Sequence, residues 1–292
     1  MRLKRIIANY ILRSKLSNKS VCFIVSTGRT GTNFMESFLS GASDNVFCVH
    51  EPHPDLFDIS IKKFRAGDSA KEIRQLILKA RLSILKAYLS GSKNVYIESN
   101  PFASFLVDEL KAIFPNAKFV IIYRDIDSYL LSALNKSPQS NRINDFYGDS
   151  DNRVRIRPSD FDADSSIESW NQYSRAQKIT WYWNKCNQHL LSFSQIKNSH
   201  PVLSLKFEAF FSEDTTERAT ALKEMLNFME IECSDQKINE LLAVSKEKKN
   251  ATKDVHFSSY NELSESERNW IARFTHELRS QLGYNKSIND LV

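Results

Sequence analysis

Five short apolar runs, rich in Val, Ile and Phe and separated by helical patterns, constrain the fold more than any other feature of this chain. They cover residues 21–26, 46–49, 94–97, 118–123 and 202–207, and KFVIIY at 118–123 is the clearest. Runs this continuously apolar predict strands covered on both faces, as in a parallel sheet. Between them, helical patterns start at Asn33, cover 70–89 and 102–114, resume just after Arg124 and run over 167–193. Ser264 and Glu267 read as a capping box that opens a last long helix ending near Gly283. The alternation predicts an α/β fold, an open and mainly parallel sheet flanked by helices.

With 292 residues, 41% of them hydrophobic, the chain can bury a sizeable core. No repeat interrupts it, and we expect one domain over 1–292. Two segments stand apart. Residues 1–19 are basic and predict an amphipathic N-terminal helix. A weak membrane-surface contact through Lys4, Arg5, Arg13 and Lys15 is a second reading of it. Its apolar run is too short and polar to span a bilayer, and no small-residue cleavage site follows, so a cytoplasmic protein is expected. Residues 136–165 are polar, charged and without periodicity, the signature of an insert or lid. Cys22, Cys48, Cys186 and Cys233 are widely spaced, with no CxxC or Cys/His metal spacing. They read as reduced core or near-core residues. A net charge of +5 suits an anionic small molecule as well as a nucleic acid.

In open α/β sheets ligands bind beyond the carboxyl ends of the strands. After the first run stands STGRTGTN, residues 26–33. After the second come His50 and Glu51, then His53 and Asp55. After the third come Glu98 and Asn100, and after the fourth Arg124 and Asp125. Four polar strand ends together favour one lined crevice. The first loop can take an anion for physical reasons. Gly28 and Gly31 let backbone amides converge, the following helix adds its unsatisfied N-terminal donors, and Arg29, Thr30 and Thr32 add more. Its spacing is not the GxxxxGK[ST] of a triphosphate site. Arg124 reads in two ways, as a partner for a second phosphate or as half of a salt bridge with Asp125 or Asp127.

Three pieces, STGRTGTNF, FPNAKFVIIYRDIDSYLLS and ELRSQLGY, resemble the sulfotransferase family that uses 3′-phosphoadenosine 5′-phosphosulfate (PAPS). The resemblance extends over roughly residues 20–284. It implies a P-loop-like sulfotransferase fold and PAPS as donor, with no metal. By position, Thr27, Gly28, Arg29, Thr30, Gly31, Thr32 and Asn33 would hold the 5′-phosphosulfate, with Arg29 stabilising the sulfate in transfer. Arg124 and Ser132 would hold the 3′-phosphate, joined by Lys249 and Asn250 of the late basic stretch KEKKNATK. A base must take the acceptor proton, a contribution worth ~10²–10⁴-fold. Members use either a His or a Glu from the region of His50 and Glu51, and we prefer Glu51 over His50. His53, Asp55, Glu98 and Asn100 are candidates for contact with the acceptor. Cytosolic small-phenol members usually have Lys where Arg29 stands, whereas many carbohydrate, tyrosyl-protein and bacterial members have Arg. The implied acceptor is therefore a hydroxyl of a glycan, glycolipid or similar molecule, and not a nucleic acid.

Two other readings compete. A kinase-like phosphotransferase on a P-loop scaffold would call for Mg²⁺ and a Lys in the first loop, which has Arg29 instead. A non-enzymatic nucleotide-binding protein of the same fold would bind the donor and transfer nothing.

Overall fold

The computed structural model describes residues 16, 19–65, 67–136, 146–149, 151–162, 167–196, 200–244 and 257–284. The five apolar runs form β1 (Ser20–Ser26), β2 (Val46–His50), β3 (Val95–Ser99), β4 (Lys118–Tyr123) and β5 (Val202–Lys206), each within two residues of its expected limits. They pair in the order β2-β3-β1-β4-β5, and every pair is parallel. Successive side chains of β1 and β4 serve opposite faces. Phe23, Val25, Phe119 and Ile121 enter one core, while Cys22, Ile24, Val120 and Ile122 enter the other. A strand buried twice leaves no position for a polar residue, which explains the unbroken apolar runs.

The helices are α1 (Thr32–Ala42), α2 (Phe57–Arg65), α3 (Ala70–Ser90), α4 (Val107–Ile113), α5 (Ile126–Leu134), α6 (Ile167–Gln172), α7 (Arg175–Ser194), α8 (Phe207–Phe210), α9 (Thr215–Met229), α10 (Asp235–Val244) and α11 (Glu265–Gln281). Met35 of α1, Met225 of α9 and Ile238 of α10 close one face of the sheet. Ile77 of α3, Leu110 of α4, Leu130 of α5, Trp183 of α7 and Ile271 of α11 close the other. The connection leaving β1 thus lies on one face and those leaving its neighbours β3 and β4 on the other. The chain parts at the carboxyl end of β1, and a crevice opens there.

Several expectations need correction. The helical stretch expected over 167–193 is two helices. Ser174 stops the run and caps α7 in a capping box with Gln177, with Gln177 Oε1 2.8 Å from the Ser174 amide. The stretch expected over 102–114 begins as a 3-10 helix, Pro101–Leu106, because the Asn100 side chain caps the Phe102 amide at 3.0 Å and Pro101 fills the first turn. Helix α2 lies in sequence where no helix is expected. The described parts of the polar insert are packed down: Phe146 and Ile156 are buried, and the Tyr147 hydroxyl donates to the Ile156 carbonyl at 2.7 Å. Arg65 of α2 grips Asp160 with bonds of 2.6 and 2.8 Å. The basic segment 1–19 lies, but for residues 16 and 19, outside the described residues. Among the described residues no helix is long and apolar enough to cross a membrane. All four cysteines are free, and burial pushes the Cys22 thiol up to about 12.

One buried ion pair ties α3 to the sheet beneath the crevice. Arg81 donates from Nε and one terminal nitrogen to both oxygens of Glu98, each at 2.7 Å, and both side chains are almost wholly buried. The Tyr96 hydroxyl and the Asn100 amide saturate the same carboxylate at 2.9 and 2.8 Å. The other terminal nitrogen of Arg81 reaches the Pro54 carbonyl at 2.7 Å and so fixes the loop after β2. Breaking one side of such a pair strands a charge and costs ~3–5 kcal/mol. Glu98→Ala is expected to lower unfolding stability in urea by about that much, and the double change Arg81→Met, Glu98→Leu to recover most of it. Equal losses in both variants would contradict the account.

Candidate active site

The loop after β1 turns through three left-handed residues, Gly28 (φ 81°), Arg29 (φ 55°) and Gly31 (φ 74°). Such a turn aims successive amides at one point. The Ser26 hydroxyl holds it from below, accepting from the Gly28 amide at 3.1 Å and pairing with the Thr30 hydroxyl at 2.6 Å. Thr30 is therefore a wholly buried brace rather than an exposed donor. Thr27 and Thr32 are buried too, while Asn33 is exposed on the first turn of α1. No side chain caps α1 at Gly31, so its first-turn amides keep their capacity for an anion. A side chain at Gly31 would collide with the Phe211 ring at 2.5 Å as well as strain the backbone.

Arg29 leaves the loop towards α5 and donates from Nε to the Ser132 hydroxyl at 3.0 Å. Burial lowers its pKa, so its charge is held at a cost that an anion would offset. Arg124, just past β4, donates to the Arg29 carbonyl and, from Nε, to the Ser128 hydroxyl at 2.9 Å. Its guanidinium lies 4.1 Å from the centre of the Phe207 ring. Burial brings its pKa down to about 10, with Glu208 opposing and Arg29 reinforcing the shift. The salt bridge considered for Arg124 is not made. Asp125 and Asp127 both turn to Arg279 of α11, at 3.1 and 3.2 Å. Glu208 accepts the Asp125 amide at 3.0 Å and the Tyr284 hydroxyl at 3.0 Å, and the Trp183 indole donates to the Arg124 carbonyl at 2.9 Å. The aromatic helix α7 is thus core and loop support. Ser132 contacts Arg29, and the serine beside Arg124 is Ser128, which the sequence reading missed although four residues on is one helical turn.

Across the crevice, His50 ends β2 with Nδ1–H donated to the Ser99 carbonyl at 2.9 Å. A carbonyl only accepts, so Nε2 of the neutral ring carries the lone pair. That nitrogen lies 3.6 Å from Glu51 Oε1. Glu51 sits at φ 41° with its amide bonded to the Ser99 carbonyl at 3.1 Å, a strained turn that presents its half-exposed carboxylate. His53 is exposed, and Asp55 pairs with Arg153 of the insert at 3.1 Å. Glu98 and Asn100, expected at the mouth, lie inside and spend their side chains on the Arg81 network. Lys249 and Asn250 lie outside the described residues. Among the described residues no cluster of His, Cys, Asp and Glu could hold a metal ion.

The sequence model of the Sulfotransferase family matches residues 22–235, which include all of these strand ends. No curated protein matches the chain. Among solved structures, the sulfotransferase domain from the curacin biosynthetic pathway is similar at 14% identity and a TM-score of 0.52, covering 91% of this chain and 98% of that one. A sulfotransferase from Alicyclobacillus acidocaldarius is similar at 12% identity and 0.51, covering 92% and 97%. One from Mycobacterium avium is similar at 11% and 0.52, covering 94% and 81%. At these identities the structures show a common fold, an open parallel sheet of the P-loop-like sulfotransferase type.

The Arg279 brace makes a pH prediction. Burial, then the neighbouring Asp125, push the Asp127 carboxyl up to about 6, and Arg279 only partly opposes them. The folded protein therefore holds a proton on Asp127 that the unfolded chain has released, between the ordinary carboxylate value and about 6. Its contribution to stability falls as pH rises through that window. The stability of the wild type relative to Asp127→Asn, from urea unfolding, should decline between about pH 4 and 6 and level off near 7. A difference independent of pH would contradict this.

Proposed function

The chain belongs to the sulfotransferase family, and from that premise we propose that it moves a sulfuryl group from PAPS to a hydroxyl of a glycan, glycolipid or similar acceptor. The observation that carries the reading is the arrangement around the crevice. Two arginines that form no salt bridge among the described residues flank the amide cradle, and a His/Glu pair stands at the end of β2, two strands away in the sheet.

In this reading the amides from Gly28 to Thr32 and the first turn of α1 receive the 5′ end of the donor, and Arg29 neutralises the sulfuryl oxygens. Arg124, with Ser128 and Ser132, takes the 3′-phosphate. The donor supplies an electrophilic sulfur and a good leaving group. The acceptor oxygen forms a bond to that sulfur as the sulfur–oxygen bond to the 5′-phosphate breaks, leaving 3′,5′-adenosine bisphosphate (PAP). Glu51 takes the hydroxyl proton, and His50, locked by Ser99, stands beside it with its Nε2 lone pair as the second candidate base. Arg29 sits where negative charge builds during the transfer, so it contributes more to the transition state than to the bound donor. Glu98 and Asn100 act indirectly, by holding the floor between β3 and the loop after β2.

The reading separates the two arginines. Arg124→Ala is expected to weaken PAP binding about 10- to 100-fold by calorimetry, the value of lost charge-assisted hydrogen bonds. Arg29→Ala should bind PAP within a few-fold of wild type yet transfer ~10²–10³-fold more slowly, followed as labelled sulfate moved from PAPS to hydroxyl acceptors. Glu51→Gln should slow the same transfer by ~10²-fold or more. Wild-type PAP affinity in Arg124→Ala would sink the assignment of the 3′-phosphate site.

A further inference from the structure

The acceptor side of the crevice holds more positive charge than sulfuryl transfer uses. Lys136 follows α5 directly, one turn beyond Ser132, and its backbone is pinned. Its amide donates to the Ala133 carbonyl at 3.2 Å, and the preceding Asn135 side chain exchanges two bonds with the Phe257 backbone, at 2.6 and 2.8 Å. No hydrogen bond or ion pair from the described residues reaches Lys136 Nζ. Burial brings its pKa down to about 8; among the described charges acting on it, Arg29, Arg155 and Arg153 repel it and Glu51 attracts it.

Arg153 reaches the same place from the insert. One terminal nitrogen binds Asp55, and the guanidinium lies 4.7 Å from the Phe57 ring centre and 5.2 Å from that of Phe102. These partners belong to the segments that follow β2 and β3, where Glu51 stands. The other terminal nitrogen, NH1, is buried and has no hydrogen-bond partner. A buried guanidinium nitrogen without an acceptor is rare in a folded protein, because the lost hydration is not replaced. Two nearby carboxylates are already spent, Asp55 on Arg153 and Asp151 on Arg155 at 2.6 Å, and Glu51 makes no hydrogen bond to either cation. Arg29 belongs to the donor. Two donors with no acceptor among the described residues therefore remain, Lys136 within the electrostatic reach of Glu51 and of Arg153.

We propose that the acceptor carries an anionic group of its own, a carboxylate, sulfate or phosphate, held by Lys136 Nζ and Arg153 NH1 beside the hydroxyl that receives the sulfuryl group. The inference rests on the transfer reading for which side of the crevice is the acceptor's. The site selects against neutral acceptors, because an uncharged molecule would leave both cations unpaired and the buried Arg153 NH1 without an acceptor. It also places the reaction on molecules already modified with acidic groups.

The test uses matched probes: methyl glucoside, methyl glucuronide, glucose 6-sulfate and glucose 6-phosphate. Each is titrated calorimetrically into the protein with and without saturating PAP. PAP affinity is measured separately, so failure of the donor reading shows as lost PAP binding while the anion site still gives its own answer. At least one anionic sugar is expected to bind about 10-fold or more tightly than the glucoside, and Lys136→Met and Arg153→Gln to erase that preference with PAP affinity unchanged. The three anionic probes distinguish carboxylate, sulfate and phosphate. Without any ligand, Lys136→Met should melt higher than wild type, because a repelled charge is gone, whereas a structural lysine would melt lower. Equal binding of glucoside and all anionic sugars, or binding that survives both substitutions, overturns the proposal. So does a lower melting temperature for unliganded Lys136→Met.

Discussion

The site depends first on where Arg279 spends its charge. Arg124 is followed by Asp125 and, two residues later, Asp127, either of which could have neutralised it. Arg279, buried on α11, binds both. Glu208 occupies the Asp125 amide and is itself held by the Tyr284 hydroxyl. The guanidinium of Arg124 is left to two neutral oxygens and an aromatic face. Keeping a desolvated cation without a salt bridge is unfavourable, and burial lowers its pKa to about 10 against the opposing pull of Glu208. A phosphate would relieve that cost. The C-terminal helix, far along the chain from the crevice, thus sets the charge available inside it.

The second support is mechanical. Arg81 and Glu98 join α3, β3 and the Pro54 carbonyl in one saturated network, and Ser99 then spends its carbonyl on both the His50 ring and the Glu51 amide. The strained turn at Glu51 is therefore held from beneath. Arg29 and its serine partner stand on the β1 side of the same crevice. The proposed halves of the group transfer, an anion cradle and a proton acceptor, stand at the ends of β1 and β2, parallel strands with β3 between them. The switch in connection direction at β1 leaves their carboxyl ends uncovered.

Most of this was legible in the sequence where the physics is local. Doubly buried strands write themselves as unbroken Val/Ile/Phe runs, and all five were found. The Gly28–Arg29–Gly31 turn and the capping box at Ser264 are short-range signals that the folded chain keeps. Ser174, set in an otherwise periodic stretch, ended one helix and began another, because periodicity outweighs a single capping residue in a linear reading. Charge pairing was the main thing the sequence concealed. Glu98 and Asn100 looked like mouth residues because strand ends were expected to be polar for a ligand, yet their partner was Arg81 on a separate helix. Arg279 lies more than 150 residues from the acids it binds, and no periodicity announces such a contact. Arg153 likewise belonged to a stretch that read as a polar insert or lid, and its aromatic and Asp55 contacts appear only once the chain is folded.

The central claim is that Arg124 is kept free for a 3′-phosphate. The most direct measurement is the melting temperature of the full chain with PAP, compared with 5′-AMP and with ATP–Mg²⁺. A ligand at ~100 times its dissociation constant adds ~2.7 kcal/mol to the stability of the folded state. The account predicts a clear upward shift with PAP and little with AMP at equal concentration, since only the former carries the 3′-phosphate. Equal shifts with PAP and AMP, or a shift with ATP–Mg²⁺ alone, would contradict it.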